Sequence, residues 1–310
     1  MTYYILCTAD TVSGGPELAH QLCGQIMLNG SSARMYYVKS DQKEPVDTYA
    51  PERYEKYGTV HAASLELADS KENIIIIPEG LTDWAFVFKN AKIILWWMSV
   101  DNFRQRFDDG YIYRLDKLCS LHLTQSKYSE AFLKSKNIDS KKILWLSDYI
   151  GEIYNRFILP PEYRIDKALF NPKKGYEDLK PLIKLCSFVT WKPLIDMTEE
   201  EVVMNMQIAK VYVDFGSHPG KDRIPREAAA CGLCVITNKK GSAGFYDDVP
   251  INEKYKFGDP IDYEKAACLL KDIVDNYSSH FHSFDNYRSV IRSEKQKFEA
   301  DVKKLLSFKL

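Results

Sequence analysis

The chain has 310 residues, about twice the length of a typical domain, which predicts two domains. Hydrophobic residues make up 45% of it and charged residues 27%, as in globular proteins with hydrophobic cores. The formal net charge of −1 at pH 7 excludes strong long-range attraction to polyanions, so no nucleic acid is predicted as a partner.

Strands and helices are predicted to alternate along the first half of the chain. A strand over Tyr3–Thr8 precedes a helix over Pro16–Leu28, where apolar residues recur four positions apart. Asn73–Ile77 is continuously apolar, which is typical of a central strand in a parallel sheet. The other strands are predicted over Arg34–Val38, Lys92–Trp97, Ser120–Thr124 and Lys142–Leu146. This alternation indicates a doubly wound parallel sheet.

A stretch rich in Tyr and Pro, from Ser147 to Arg164, is interpreted as a link, after which the alternation starts again. Thr198 and Glu201 have the spacing of a capping box. The remaining elements are predicted strands over Lys167–Phe170, Phe188–Leu194, Val211–Phe215 and Cys234–Thr237, and helices over Gly175–Leu185 and Pro225–Ala230. We therefore predict an α/β fold with two Rossmann-like, doubly wound domains facing a cleft, over 1–155 and 165–283, followed by a C-terminal helix over 284–310.

The sequence predicts a cytoplasmic protein. Its N-terminus, MTYYILCTAD, lacks the basic region of a signal peptide, and no run reaches the roughly 18 apolar residues of a membrane span. The seven cysteines are scattered and odd in number, which favours reduced thiols. Cys231 and Cys234 have the spacing of a zinc pair, but no second pair accompanies them, so we interpret them as packing residues.

Two glycine-bearing turns could approach an anion. Gly14 and Gly15 follow the first strand and precede a helix, where free backbone N–H groups are available, although the GxGxxG pattern of dinucleotide enzymes is absent. A plain strand–helix turn is the alternative. Lys173, Lys174 and Gly175 follow the first strand of the second domain and place two cations at a helix start, with solvated lysines as the alternative.

The third and most specific pattern surrounds the VYVDF strand. Lys221, Arg223, Lys239 and Lys240 lie in the loops after this strand and after CVIT, so they are expected at one edge of the sheet. Glu227 is expected in the first turn of the helix between these strands, and Gly241 and Ser242 lie in the second loop. Basic side chains and backbone N–H groups can bind phosphate, and a carboxylate can bind ribose hydroxyls. Together these groups suit a nucleotide. The alternative for Glu227 is a role in complementing the helix dipole.

These patterns resemble the C-terminal domain of GT-B glycosyltransferases, most closely the large, mostly retaining family that builds bacterial surface polysaccharides. In that family a Lys-Gly pair contacts the donor diphosphate, and Lys174-Gly175 match it. The second glutamate of its Glu-x7-Glu signature binds the donor ribose, and Glu227 matches it. Its glycine loops resemble Gly241–Gly244 and Gly14-Gly15. Donor contacts are therefore expected from Gly14, Gly15, Lys173, Lys174, Lys221, Arg223, Glu227, Gly241 and Ser242.

Two departures from the family put the sugar and the stereochemistry of transfer in doubt. Pro219 occupies the position of the first glutamate, and His218 or Asp222 could stand in for it. Leu169 occupies the position of a family arginine, for which Arg223 could substitute.

The predicted reaction uses Lys174 and Arg223 to stabilise the departing diphosphate. Glu79 and Asp101 follow central strands of the first domain, and either could orient or deprotonate an acceptor hydroxyl. The chain contains no Asp-x-Asp, the metal-binding motif of the other main glycosyltransferase fold, so no metal and no cofactor are predicted.

The C-terminal stretch has apolar residues at roughly helical spacing: Phe284, Tyr287, Ile291, Phe298, Val302 and Leu305. Basic residues lie between them, so a weak peripheral contact with the inner face of a membrane is one interpretation. We favour a helix that packs across the two domains, because Glu294, Glu299 and Asp301 dilute the positive face.

The sequence therefore predicts a glycosyltransferase that moves a sugar from a nucleotide-diphosphate donor to a glycan or lipid-linked acceptor, in capsule, O-antigen or similar biosynthesis. Two alternatives remain: a nucleotide-sugar epimerase, and a catalytically silent subunit that binds a glycan or a partner enzyme.

Overall fold

The computed structural model describes residues 1–39, 44–104 and 108–309. The chain forms two compact units, one comprising Met1–Asp148 with Gln296–Leu310 and the other Tyr149–Lys295. Each unit contains one parallel sheet with helices and has its own buried core.

The first unit is built on a six-stranded parallel sheet in the order β2-β1-β3-β4-β5-β6. Its strands are β1 (Thr2–Thr8), β2 (Ser32–Val38), β3 (Ile74–Pro78), β4 (Lys92–Trp97), β5 (Cys119–Thr124) and β6 (Ile143–Trp145). Its helices are α1 (Gly14–Leu28), α2 (Leu65–Ala68), α3 (Val100–Arg104), α4 (Asp109–Leu118) and α5 (Lys127–Ser135). All four isoleucines of β3 are buried, as expected for a strand covered on both faces.

The second unit is built on a five-stranded parallel sheet in the order β11-β10-β9-β7-β8. Its strands are β7 (Ile165–Phe170), β8 (Thr190–Pro193), β9 (Ala209–Asp214), β10 (Cys234–Asn238) and β11 (Lys256–Phe257). Its helices are α6 (Tyr176–Leu185), α7 (Glu199–Ile208), α8 (Arg223–Ala230), α9 (Tyr263–Asp275), α10 (Tyr277–His282) and α11 (Asp285–Arg292). The last helix, α12 (Glu294–Ser307), begins in this unit and ends in the first.

The predicted strands are all present, with bounds that differ by no more than two residues. The capping box is confirmed, because the Thr198 Oγ1 accepts from the Glu201 N–H and the Glu201 carboxylate accepts from the Thr198 N–H. The predicted link contains two short 3-10 helices, Glu152–Asn155 and Pro161–Tyr163. The predicted domain bounds and the packing of the C-terminal helix across the domains stay predictions.

Two helices begin earlier than their prolines suggest. Helix α1 begins at Gly14, with Pro16 inside its first turn, so the two glycines belong to the helix start rather than to a free loop. Helix α8 begins at Arg223, two residues before Pro225. Glu227 therefore lies beyond the first turn, which corrects its predicted position.

Within the described part of the chain, no helix is both long enough and apolar enough to cross a membrane.

Candidate functional site

The strand order of the second sheet creates a topological switch point between β7 and β9. The chain passes from β7 to β8 on one side and then returns to β9 on the other side of β7. Ligands of open α/β sheets bind at such a switch point, beside the carboxyl ends of the two diverging strands. Here those ends carry the loop 171–175 after β7 and the loop 215–222 after β9.

Lys174 is held at this switch point by an ion pair. Its Nζ lies 3.0 Å from Oδ2 of Asp222, the residue that precedes α8, and about a third of its side chain stays exposed. Gly175, the next residue, has a backbone φ of 62°, which glycine adopts without strain. Lys173 is exposed, and its backbone N–H donates to the Asn171 side chain. Lys174 is therefore the more fixed of the two cations.

Arg223 and Glu227 form a pair on the first turns of α8. Arg223 Nε lies 3.4 Å from Glu227 Oε1, and the two side chains are 12% and 8% exposed. Because the effect of the helix dipole falls off after the first turn, a position beyond that turn weakens the alternative role for Glu227. A carboxylate paired with a guanidinium in this place suits recognition of a ribose hydroxyl next to a phosphate.

The loop after β10 is tied to the loop after β9 by backbone contacts. The Ser242 N–H donates to the His218 carbonyl at 2.9 Å, and the Ser242 hydroxyl donates to the Gly220 carbonyl at 2.5 Å. Gly241 has a φ of 55°, and a Cβ there would collide with the His218 carbonyl oxygen. In the structure Gly241 and Ser242 therefore hold two loops together, and a contact with a donor stays a prediction.

The other predicted cations of this edge are engaged in ion pairs. Lys221 Nζ lies 2.8 Å from Glu294, whose other carboxylate oxygen lies 2.9 Å from Arg226. Lys239 pairs with Glu253 at 2.7 Å and Lys240 with Asp178 at 2.9 Å. The loop cations thus contribute to the shape of the site, and a donor contact from Lys221 stays a prediction.

Sequence reasoning named His218 but did not predict that it is buried between two carboxylates. His218 lies between Asp214, the last residue of β9, and Asp222. The sequence suggested that His218 or Asp222 could replace the missing first glutamate near the sugar. Since the His218 side chain is only 1% exposed and Asp222 pairs with Lys174, the structure gives both residues partners within the protein.

The first unit also has a switch point, between β1 and β3, with candidate residues at both carboxyl ends. Gly14 and Gly15 start the helix after β1, and a Cβ on Gly15 would lie 3.8 Å from the Met98 side chain. Glu79 directly follows β3 and accepts a hydrogen bond from the Met98 N–H at 2.9 Å. Burial raises the pKa of Glu79 to about 7, even though backbone N–H groups oppose the change. A carboxyl with this pKa is suited to general acid–base catalysis near neutral pH.

Asp101, the second carboxylate candidate, lies in α3 and is half-buried. Its Oδ1 accepts a hydrogen bond from the Tyr128 hydroxyl at 2.5 Å. The structure therefore presents two different carboxyl groups, a buried one that retains its proton to about pH 7 and a half-buried one bound by a phenol.

A group of side chains that could ligate a metal lies in the first unit and consists of Asp116, Cys119 and His122. The Trp97 indole can only donate, so the 2.9 Å contact with His122 Nδ1 requires Nδ1 to accept and Nε2 to carry the hydrogen. Burial lowers the pKa of His122 to about 4, which keeps the ring neutral. With its Nε2–H directed at Asp116 at 3.2 Å, His122 has no free lone pair for a metal.

The histidine of the first helix, His20, is also structural, because both of its ring nitrogens contact groups of the protein. His20 contacts the Pro16 carbonyl at 2.7 Å and the Tyr37 hydroxyl at 2.8 Å.

Comparison with known proteins defines the class of fold. No family model matches the sequence, and no curated protein matches it. Among solved structures, Anabaena HepE in complex with UDP-glucose has a TM-score of 0.72 and 11% identity, over 99% of this chain and 99% of its own. A glycosyltransferase from Rickettsia africae ESF-5 has a TM-score of 0.67 and 12% identity, over 98% of each chain.

The lipopolysaccharide outer core galactosyltransferase WaaB, in its apo form, has a TM-score of 0.66 and 12% identity, over 100% of both chains. The chain therefore has the fold of GT-B glycosyltransferases, which confirms the predicted fold class of two Rossmann-like α/β domains. At these identities the likeness establishes the fold.

Proposed function

We propose that the protein is a glycosyltransferase that uses a nucleotide-diphosphate sugar as donor. The observation that carries this proposal is the grouping of Lys174, Arg223 and Glu227 at the switch point of the second sheet. The fold supports it, because HepE, which shares the fold, has been solved with UDP and with UDP-glucose.

In the proposed reaction, the bond between the anomeric carbon and the leaving phosphate oxygen breaks, and a bond to an acceptor hydroxyl oxygen forms. Negative charge then develops on the diphosphate. In this proposal Lys174, Arg223 and the N-termini of α6 and α8 stabilise that charge without a metal. Glu227 binds the ribose.

The acceptor hydroxyl must lose its proton, and Glu79 and Asp101 are the proposed bases. The raised pKa of Glu79 makes it the better candidate, since a base with a pKa near the working pH combines the ionised form with a useful affinity for the proton. We propose a glycan or a lipid-linked glycan as the acceptor, in cytoplasmic synthesis of a surface polysaccharide, which is the role that the sequence resemblance implies.

A thermal-shift screen against UDP-, GDP-, CMP- and dTDP-sugars tests the donor, because a ligand that binds the folded state raises the melting temperature. Turnover of the bound donor is then measured with and without an acceptor. A transferase needs the acceptor, an epimerase does not, and a silent subunit turns over no donor under either condition.

The role of Glu227 is tested by calorimetry with the Glu227→Ala variant, which should bind the nucleotide at least about tenfold more weakly, as expected for a lost charge-assisted hydrogen bond. Glu264, an exposed acid in the first turn of α9, provides the matched control in Glu264→Ala. Equal nucleotide affinity in the two variants would contradict the assignment.

A further inference from the structure

His218 is surrounded by hydrogen-bond acceptors. Its Nδ1 lies 3.1 Å from Asp222 Oδ2, and its Nε2 lies 3.8 Å from Asp214 Oδ1. Neither contact has the geometry of a hydrogen bond, but two carboxylates within 4 Å of the ring favour its charged form, which carries a hydrogen on both nitrogens. The geometry therefore describes an imidazolium between two acids.

The charges of this cluster balance. Lys174 Nζ lies 3.0 Å from the same Asp222 oxygen that faces His218, so two cations share the cluster with two carboxylates. Asp214 also accepts from the Tyr212 hydroxyl at 3.1 Å and from the Gly216 N–H at 3.0 Å. The loop after β10 contacts the cluster through its backbone, because the Ser242 N–H donates to the His218 carbonyl.

The pKa directions agree with this arrangement. Burial by itself lowers the pKa of His218, but Asp214 and Asp222 outweigh it, and the pKa lies above its ordinary value of 6.5. Burial also acts to raise the pKa of Asp222, but His218 and Lys174 outweigh it and the pKa is lowered. Each group thus favours the charged form of its neighbour.

Asp214, His218 and Asp222 are also close enough together to hold a metal ion. An ion at this place would share Asp222 Oδ2 with the Lys174 ammonium, 3.0 Å away. Repulsion between the two cations disfavours metal binding here, and the histidine proton supplies the positive charge instead.

We infer that His218 is a positioning residue, whose imidazolium becomes the principal counter-ion of Asp222 when Lys174 moves to the donor diphosphate. This inference rests on the proposed function, because it requires a donor for Lys174 to bind. If His218 were neutral, departure of Lys174 would leave the half-buried Asp222 carboxylate without this cation, at a cost that opposes donor binding.

The double-variant experiment separates this role from simple packing. His218→Gln should bind UDP-glucose at least about tenfold more weakly, since Asp222 would then retain Lys174. The double variant His218→Gln/Asp222→Asn should recover most of the affinity, because no carboxylate remains to hold the lysine. If the double variant binds no more tightly than His218→Gln, the inference is wrong.

The pH dependence gives a second readout. Each phosphate of UDP-glucose carries two linkages and has no proton to lose near neutral pH, so changes in affinity report on the protein. Affinity should fall as the pH rises through the pKa of His218, and His218→Gln should not show this fall. Histidine NMR, with the His218 signal identified by its absence in His218→Gln, should give a pKa above 6.5 that Asp222→Asn lowers.

The two proposals fail in different ways. If the protein does not bind UDP-glucose, these titrations use instead the nucleotide sugar that gives the largest shift in the thermal-shift screen. A wild-type protein that binds no nucleotide sugar contradicts the proposed function and removes the ligand of Lys174. A protein that binds its nucleotide sugar but keeps His218 neutral at pH 6.5 overturns the inference alone.

Discussion

Gly175 and Gly216 bring the loops after β7 and β9 into backbone contact. A Cβ on Gly175 would lie 2.3 Å from the Gly216 backbone nitrogen, closer than side chains approach backbone atoms in real structures. In the other direction, a Cβ on Gly216 would lie 2.8 Å from the Lys174 Cβ. The pair of glycines therefore sets the distance between the lysine loop and the loop that carries His218 and Asp222.

Gly175→Ala is expected to destabilise the protein by roughly 2–4 kcal/mol, because it adds a backbone collision to the strain of a left-handed alanine. Gly30→Ala is the matched control, since Gly30 has a φ of 80° and a Cβ there would meet no atom of the described residues within 4 Å. It should cost only about 1 kcal/mol. Urea denaturation measures both, and equal losses would show that the contact with Gly216 is unimportant.

Glu79 is expected to give the reaction a pH dependence near neutrality. With a pKa of about 7, the carboxyl acts as a base only above this value, so kcat should rise as the pH passes through about 7. Glu79→Gln should lower kcat by about 10²–10⁴-fold and remove this rise. Asp101→Asn is the comparison variant. A rise near pH 7 that persists in Glu79→Gln but disappears in Asp101→Asn would assign the base to Asp101.

The Glu79 carboxyl should make stability fall with rising pH, although it makes kcat rise. Because its pKa is raised from 4.5 to about 7 in the folded state, the folded protein binds more protons than the unfolded chain between these values. The free energy of unfolding should therefore fall by roughly 3 kcal/mol as the pH rises from about 4 to about 8. Denaturation of wild type and Glu79→Gln across this range measures the free energy of unfolding of each. The part of its fall that comes from Glu79 should be absent from the variant.

Transfer is expected to continue without a divalent metal, because Lys174, Arg223 and helix N-termini supply the positive charge. Initial rates are compared in excess chelator and in added magnesium or manganese. Activity that disappears in chelator and returns with either metal would contradict this prediction. Lys174→Met should reduce kcat in both conditions, which separates the loss of the lysine from the loss of a metal.

The sequence predicted the strands well because their signal is local. The isoleucines of β3 and the VYVDF segment of β9 are apolar enough to identify central strands without any tertiary information. The two-residue strand β11 is too short to give such a signal, and it was missed. The start of α8 was misplaced because a proline suits any position of the first turn, and Pro225 is the third residue of the helix.

The candidate site was predicted only in part, because its contacts join distant residues. Helical spacing accounts for the contact of Glu227 with Arg223, but only with the helix starting at Arg223 rather than at the predicted Pro225. The pairing of Lys174 with Asp222, 48 residues away, and of Arg226 with Glu294, 68 residues away, has no local signal. His218 was noticed only as a substitute for a missing glutamate, since its two carboxylate neighbours become evident only when the loops are folded.

The six apolar residues that defined the helical spacing of the C-terminal stretch are all buried in the structure, as a packing role requires. Arg288, one of the basic residues that favoured membrane contact, is itself buried against Phe281 and bonds to the Phe281 carbonyl and Asp285. This leaves Lys303 and Lys304 among the exposed cations of the stretch. Peripheral membrane contact therefore remains a separate prediction that can be tested without disturbing the fold.

Phe298→Ala in α12 is expected to destabilise the protein by about 3–5 kcal/mol, because it removes a buried ring and leaves a cavity. Lys297→Glu/Lys303→Glu changes two exposed residues of the same helix and should alter stability by less than about 1 kcal/mol. Thermal denaturation compares the two variants, and deletion of Phe284–Leu310 should be more destabilising than either.

Sedimentation with anionic vesicles at low salt then tests membrane contact. If the double charge reversal abolishes vesicle binding while stability and transfer to a soluble acceptor are unchanged, the helix has a membrane role in addition to packing.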